Sequence, residues 1–140
     1  MNLRIELPDD YLPSEDEPYM NARQIEFFRR KLLDWREEIM QEAKNTVENL
    51  RRQERTLPDI ADQAAEDLER NFLLRTRDRQ RKLLSKINHA LERIENGGFG
   101  YCEVTGRPIS LKRLLARPVA VLCLEAQEQH EKNERSFRPG

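Results

Sequence analysis

The sequence predicts a mainly α-helical protein: a long antiparallel coiled-coil hairpin, then a small C-terminal knob and a terminal helix. Three observations carry this. Apolar residues recur at spacings of three and four over two long runs, 22–55 and about 61–95, with no internal glycine or proline. Only a short stretch with Pro58 separates the runs, so the second helix must fold back along the first. Finally, 36% of the 140 residues are charged, 37% are hydrophobic and the mean hydropathy is −0.89. A compact globule would need more apolar surface to bury, whereas a helical hairpin has little interior.

Residues 1–20 form an acidic leader with six acids, three prolines and one base, Arg4. Two readings stand: a solvated, poorly ordered segment, or a short arm packing Leu3, Ile5, Leu7, Tyr11 and Leu12 against the base of the first helix. Asn21 is placed to cap that helix. The hairpin occupies 21–96, with its tip at 56–62. Its first seam runs through Ile25, Phe28, Leu32, Trp35 and Ile39, then drifts through Ala43 and Val47 to Leu50. About 34 residues of helix would extend roughly 50 Å. Pro58 cannot donate a backbone hydrogen bond and drives Leu57 from helical dihedrals, which stops the first helix near Thr56. Asp59 then caps the second helix, and the turn presents Asp59 and Asp62 as an exposed carboxylate pair.

The second seam begins with Ala61, Ala65, Leu68 and Phe72 and ends with Leu83, Ile87, Ala90 or Leu91, and Ile94. Between its halves lie five bases in eight residues, 75–82. They read either as a solvated face paired to acids of the first helix or as a collar that grips an acidic surface or phosphate. Gly97-Gly98 end the helix. Residues 97–124 then change character, with glycines, prolines and dense aliphatics, and read as a small knob of turns with at most a short hairpin. Residues 125–140 complete the chain as a charged helix, starting near Cys123, and a tail.

Cys102 and Cys123 each begin a Cys-x-x pattern whose partner positions hold Thr105 and Ala126. Cysteine at both would make a strong zinc signature, because structural zinc takes four soft or imidazole ligands. Half the set is missing, and neither His89 nor His130 has the usual spacing to complete it. Two free thiols acting as small hydrophobes, a disulfide and a metal site all remain open.

Several function classes are excluded. No apolar run approaches the roughly 20 residues of a membrane span, and the N-terminus lacks the pattern of a secretory signal. Two cysteines without such a signal indicate a reducing cytoplasm. Residues 1–70 carry 18 acids and 11 bases, net −7, and residues 71–140 carry 8 acids and 14 bases, net +6. That split suits a partner with both signs of charge rather than nonspecific DNA binding. No nucleophile–base pair, phosphate loop or catalytic metal set is present, so the chain reads as a regulator and not an enzyme.

The stretches Gly97-Gly98-Phe99-Gly100-Tyr101-Cys102, Ala116-Arg117-Pro118 and Leu122-Cys123 resemble the zinc-finger region of the DksA family. Leu57-Pro58-Asp59-Ile60-Ala61-Asp62-Gln63-Ala64-Ala65, Arg75-Thr76-Arg77-Asp78-Arg79 and Glu17-Pro18-Tyr19-Met20 resemble the same family, over residues 17–130 or so. The resemblance implies a zinc-finger-like knob and a factor that binds bacterial RNA polymerase directly, without sequence-specific DNA binding. It implies a coiled coil entering the polymerase secondary channel and joint action with the alarmone ppGpp in the stringent response. Carried over by position, Asp59, Ala61 and Asp62 form the tip at the active centre and Arg79 meets the channel rim. Leu83, Lys86 and Arg117 match positions lining a ppGpp site at the polymerase interface, and Gln127 stands where the family has a lysine. With Cys102 and Cys123 as vestigial ligand positions, the chain is similar to the zinc-independent paralogues, which substitute for the zinc-bearing form when zinc is scarce. No bound cofactor and a monomeric state are therefore expected. Two other classes fit the hairpin itself: a Gre-type transcript-cleavage factor and a structural coiled-coil adaptor. The former carries a larger, β-rich C-terminal domain than the residues after Gly97 allow.

Overall fold

The computed structural model describes residues 5–55 and 62–137. It contains four helices, in order α1 (Ala22–Arg55), α2 (Gln63–Asn96), α3 (Leu111–Ala116) and α4 (Leu124–Phe137). Among the described residues the only β-pairing is an isolated antiparallel bridge, Tyr101 with Pro108. No described helix is long and apolar enough to cross a membrane. The chain divides into two compact units, one of Leu33–Asn88 and one of the residues before and after it.

The unit of Leu33–Asn88 is the paired part of α1 and α2. Arg36 donates to the Asn88 side-chain oxygen at 3.1 Å, and Arg70 meets Glu54 at 3.9 Å. Between these pairs α1 steps back 18 residues (54 to 36) while α2 advances 18 (70 to 88), which is an antiparallel register. On α1, Ile39, Thr46 and Leu50 are buried, while Trp35, Ala43 and Val47 are half-buried. The heptad thus turns Thr46, not Val47, fully inward, and its hydroxyl donates to the Glu42 carbonyl at 3.0 Å. On α2 the inward positions are Leu73, Thr76, Gln80, Leu83 and Ile87. The expected seam through Leu68 and Phe72 is corrected: they are 70% and 57% exposed. The bases at 75–82 do not interrupt the seam, because Thr76 and Gln80 continue it between them. Among the described residues those bases make no ion pair with α1. Asp78 takes Arg81 at 2.9 Å and Lys82 at 3.0 Å along α2 itself.

In the other unit α1 starts as its sequence dictates. Asn21 accepts the Gln24 backbone N–H at 2.9 Å, and Gln24 reaches back to the Met20 N–H at 2.8 Å, a capping box shifted by one residue. Gln24 is fully buried and also donates to the Ser14 carbonyl (3.0 Å) and to Glu17 (3.1 Å). Tyr11 donates to Glu17 at 2.7 Å, and its ring packs edge-on against Phe27. Of the two readings of the leader, residues 11–20 follow the packed one, although Leu12 itself is 68% exposed.

Phe28, Leu32, Ala90, Phe99, Ile109, Leu111, Leu114 and Val119 form the core of this unit. Gly97, at φ +80°, ends α2 in the left-handed conformation expected there. The Tyr19 hydroxyl sits between the carbonyls of Gly100 (2.6 Å) and Ile109, tying the segment before α1 to the knob. Burial, with Tyr101 adding, pushes that hydroxyl up to about 12. Burial and then Glu17 push Tyr11 to about 12 as well.

Gly100 combines φ +91° with no space. A Cβ there would lie 2.7 Å from Met20 Cγ and 3.2 Å from the Tyr19 hydroxyl. Gly106, at φ +74°, faces nothing within 4 Å. Gly100→Ala is therefore expected to lose more than about 3 kcal/mol, strain and clash together, and Gly106→Ala only about 1–2 kcal/mol, read by thermal unfolding. Alkali supplies an independent check. Both raised tyrosines hold their protons more tightly in the folded chain than the ordinary 10.0. The stability they contribute is complete below pH 10 and lost as pH rises from about 10 to about 12. Tyr11 and Tyr19 should ionise late in an absorbance titration of the folded chain, and at their ordinary value in urea.

Candidate functional site

The helical sites lie on α2. Asp62 occupies a helical turn just before Gln63 and is exposed; Asp59 and Ala61 fall outside the described residues. Arg79 is exposed, with one guanidinium nitrogen 3.4 Å from the Thr76 hydroxyl. Leu83 is half-buried in the seam and Lys86 is exposed. Arg117 and Gln127 belong to the other compact unit. Arg117 is exposed and closes α3, its N–H donating to the Arg113 carbonyl at 2.8 Å. Gln127 is half-buried in α4 and donates to Glu131 at 3.2 Å.

The knob is built around its two cysteines, both free thiols, Cys102 buried and Cys123 half-buried. Arg93, which no sequence pattern singles out, braces the approach to Cys102. It donates to the carbonyls of Gly98 (2.7 Å) and Tyr101 (2.6 Å) and meets Glu103 at 3.1 Å, while His89 contacts the same carboxylate. Cys102 N–H donates to the Arg107 carbonyl at 2.8 Å, and Gly106 N–H donates back to the Cys102 carbonyl at 2.9 Å. This tight turn aims N–H groups at the sulfur, with Thr105 N–H 3.5 Å from Cys102 Sγ. Burial alone would raise the thiol. The Thr105 hydroxyl and the N–H groups of Cys123, Thr105 and Val104 outweigh it and bring Cys102 down to about 6.

Thr105 also places its hydroxyl 3.8 Å from Cys123 Sγ. The four positions of a zinc knuckle thus hold two thiols, a hydroxyl and, at the buried Ala126, a methyl group. His89 is engaged with Glu103, and His130 pairs with Glu134 at 3.1 Å on exposed α4. Among the described residues no group of three or more His, Cys, Asp or Glu could hold a metal ion. This donor set does not fit zinc.

A coiled-coil hairpin leading into a zinc-knuckle turn with half its ligands defines a class of helical-hairpin proteins with a modified zinc-finger knob. Comparison with known proteins narrows the class. The N-terminal domain of the DnaK suppressor protein DksA matches residues 24–94, and the prokaryotic dksA/traR C4-type zinc finger matches residues 97–132. The RNA polymerase-binding transcription factor DksA of Caulobacter vibrioides is 56% identical over 92% of this chain and 91% of its own length. Its namesake in Escherichia coli strain K12 is 39% identical over 92% and 85%. The solved structure of transcription factor DksA2 from Pseudomonas aeruginosa is 44% identical, covering 84% of this chain and 90% of that one, with a TM-score of 0.77. The chain belongs to the DksA family.

If only the ligands are missing and the knuckle geometry persists, restoring them should restore metal binding. Thr105→Cys combined with Ala126→Cys is expected to retain one zinc per chain through gel filtration and to lose thermal stability on chelation. A double variant that retains no zinc would show that the turns have drifted from ligand geometry.

Proposed function

We propose that this chain is a transcription regulator that binds bacterial RNA polymerase directly and acts without catalysis of its own. The likeness to the RNA polymerase-binding factor of Caulobacter vibrioides, 56% over nearly the whole of both chains, carries this reading. The paired helices enter the polymerase secondary channel with the 56–62 turn leading. There Asp59 and Asp62, with Ala61 between them, meet the metal, bases or mobile elements of the active centre and change the lifetime of promoter complexes. Arg79 contacts the channel rim, in keeping with its exposure and lack of a carboxylate partner among the described residues.

The alarmone ppGpp acts as co-regulator at a site that Leu83, Lys86 and Arg117 line on the polymerase interface. Gln127 removes the positive charge a family lysine would supply there, so the alarmone binds less tightly than in relatives with the lysine. The knob works without zinc, which suits a paralogue that replaces the zinc-bearing form when zinc is scarce. The donor set around Cys102 and Cys123 supports that independence. Working in the cytoplasm as a monomer, the factor needs no DNA sequence of its own to read.

The test is in-vitro transcription from a ribosomal RNA promoter with EDTA-treated factor. The native chain should inhibit, and Asp59→Asn with Asp62→Asn should bind polymerase nearly as well yet fail to inhibit. Equal activity of the two proteins would remove the tip from the mechanism. Inactivity of both would return the chain to the adaptor class.

A further inference from the structure

The knuckle of the knob keeps the first cysteine of each pair and lacks the second. Cys102 opens a tight turn and Cys123 stands just before α4, while the positions three residues on hold Thr105 and Ala126. Both thiols are free. Thr105 joins them, because its N–H lies 3.5 Å from Cys102 Sγ and its hydroxyl 3.8 Å from Cys123 Sγ. The Cys123 N–H donates to Cys102 Sγ as well, which brings the two cysteines side by side. Backbone bonds hold both in place: Glu103 N–H donates to the Val121 carbonyl at 2.9 Å, and Gln127 N–H to the Cys123 carbonyl at 2.9 Å. The result is a preorganised pair of soft donors.

The groups around the pair decide which ion it can take. Zinc takes four ligands in a tetrahedron, and the two further positions here offer a neutral hydroxyl and a buried methyl group. Glu103 engages His89, and His130 pairs with Glu134, so neither imidazole completes the set. Calcium and magnesium bind oxygen, and two sulfurs do not suit them. Copper(I) differs on both counts. It is soft and selects thiolate ligands, and its filled d shell is satisfied by two sulfurs in line with the metal between them. Two thiolates around one monovalent cation leave a single negative charge. The N–H groups of Cys123, Thr105 and Val104 at Cys102 Sγ are placed to answer it.

We propose that Cys102 and Cys123 form a two-coordinate site for copper(I), which bridges the two sulfurs and closes the turn after Cys102 onto the start of α4. Copper enters and stays as copper(I), so no electron moves. The two thiol protons pass to solvent as the two metal–sulfur bonds form. The bridge ties together the same two turns that a four-ligand zinc would tie, with the donors that remain. The site lies wholly within the knob and stands or falls independently of the polymerase reading.

The test titrates the full chain, reduced and free of oxygen, with copper(I) held by the coloured chelator bicinchoninate. The native chain should withdraw one copper per molecule, and both thiols should become unreactive to a thiol reagent in the same step. X-ray absorption at the copper edge should show two sulfur neighbours and no nitrogen or oxygen. Cys123→Ser and Cys102→Ala should each fail to withdraw copper. Cys123 is half-buried, so its serine variant should keep native helix content and settles the question even if Cys102→Ala, at a buried position, does not fold. One equivalent of copper(I) should raise the melting temperature of the native chain, and zinc should leave it unchanged. No withdrawal by the native chain, or equal withdrawal by Cys123→Ser, would overturn the site. Three or more neighbours at the copper, or zinc bound as tightly as copper(I), would overturn its two-coordinate character and the proposal with it. A melting temperature that copper(I) does not move would overturn the bridge between the turns.

Discussion

Which side chains the heptad turns inward decides what the paired helices can offer to a partner. The chain has few apolar residues to spend on an interior, and in the unit of Leu33–Asn88 it does not put all of them there. Thr46 and Gln80 take inward positions, and the Gln80 side-chain oxygen is buried without a hydrogen-bond partner among the described residues. A buried polar atom left unsatisfied costs about 1–3 kcal/mol. Leu68 and Phe72 meanwhile stand in solvent. Exchanging apolar for polar character across the seam lowers stability, and it leaves outside an apolar row continuous with a basic one. A segment optimised only to pair with α1 would carry these residues the other way round.

The second unit meets a different constraint, holding a small knob together with an incomplete set of zinc ligands. A structural zinc supplies folding free energy directly. Several interactions of the chain itself also hold the knob. Thr105 links the two sulfurs through its N–H and hydroxyl, N–H groups surround Cys102, and Arg93 gathers the carbonyls of Gly98 and Tyr101. From outside the knob, Tyr19 closes on the Gly100 and Ile109 carbonyls in a space that only glycine at position 100 leaves open. Residues before α1 thus serve as part of the knob's support, reaching across most of the chain's length in sequence.

These two arrangements explain what could be read in the sequence. The bounds of α1 and α2 were legible because Asn21 caps, Gly97 stops and nothing breaks the period between. Hydrophobicity failed at Leu68 and Phe72 because a period can be satisfied by two stripes on one helix. Over residues 65–73 an apolar count favours Ala65, Leu68 and Phe72 over Glu66, Glu69 and Leu73, while packing turned the row of Leu73, Thr76 and Gln80 inward. The packing of residues 11–20 was only one of two open readings, since it depends on the buried side chain of Gln24 meeting Ser14 and Glu17 at once. Arg93 gave no signal, because two of its partners are backbone carbonyls, which sequence does not distinguish, and the third, Glu103, lies ten residues away. Of the candidate site, Asp62, Arg79 and Lys86 are exposed as their proposed roles require, whereas Asp59 and Ala61 lie outside the described residues.

The charge split of the chain gains a physical sense from this geometry. Four of the bases after residue 70, Arg75, Arg79, Lys82 and Lys86, share one exposed face of α2, and the carboxylate among them, Asp78, is held below its ordinary value by Lys82 and Arg81. That carboxylate pairs with Arg81 at 2.9 Å and Lys82 at 3.0 Å rather than with Arg75 or Arg79. Local pairing therefore fixes which cations are left for a partner. The first turns of the same helix and the residue before it, with Asp62, Glu66, Asp67 and Glu69, have the opposite sign, so a correctly oriented partner must offer negative charge along the later part of α2 and positive charge or metal at its start. A surface with only one of those signs would repel one end of the helix. This makes the order of charges along α2, more than their number, the feature that selects a partner.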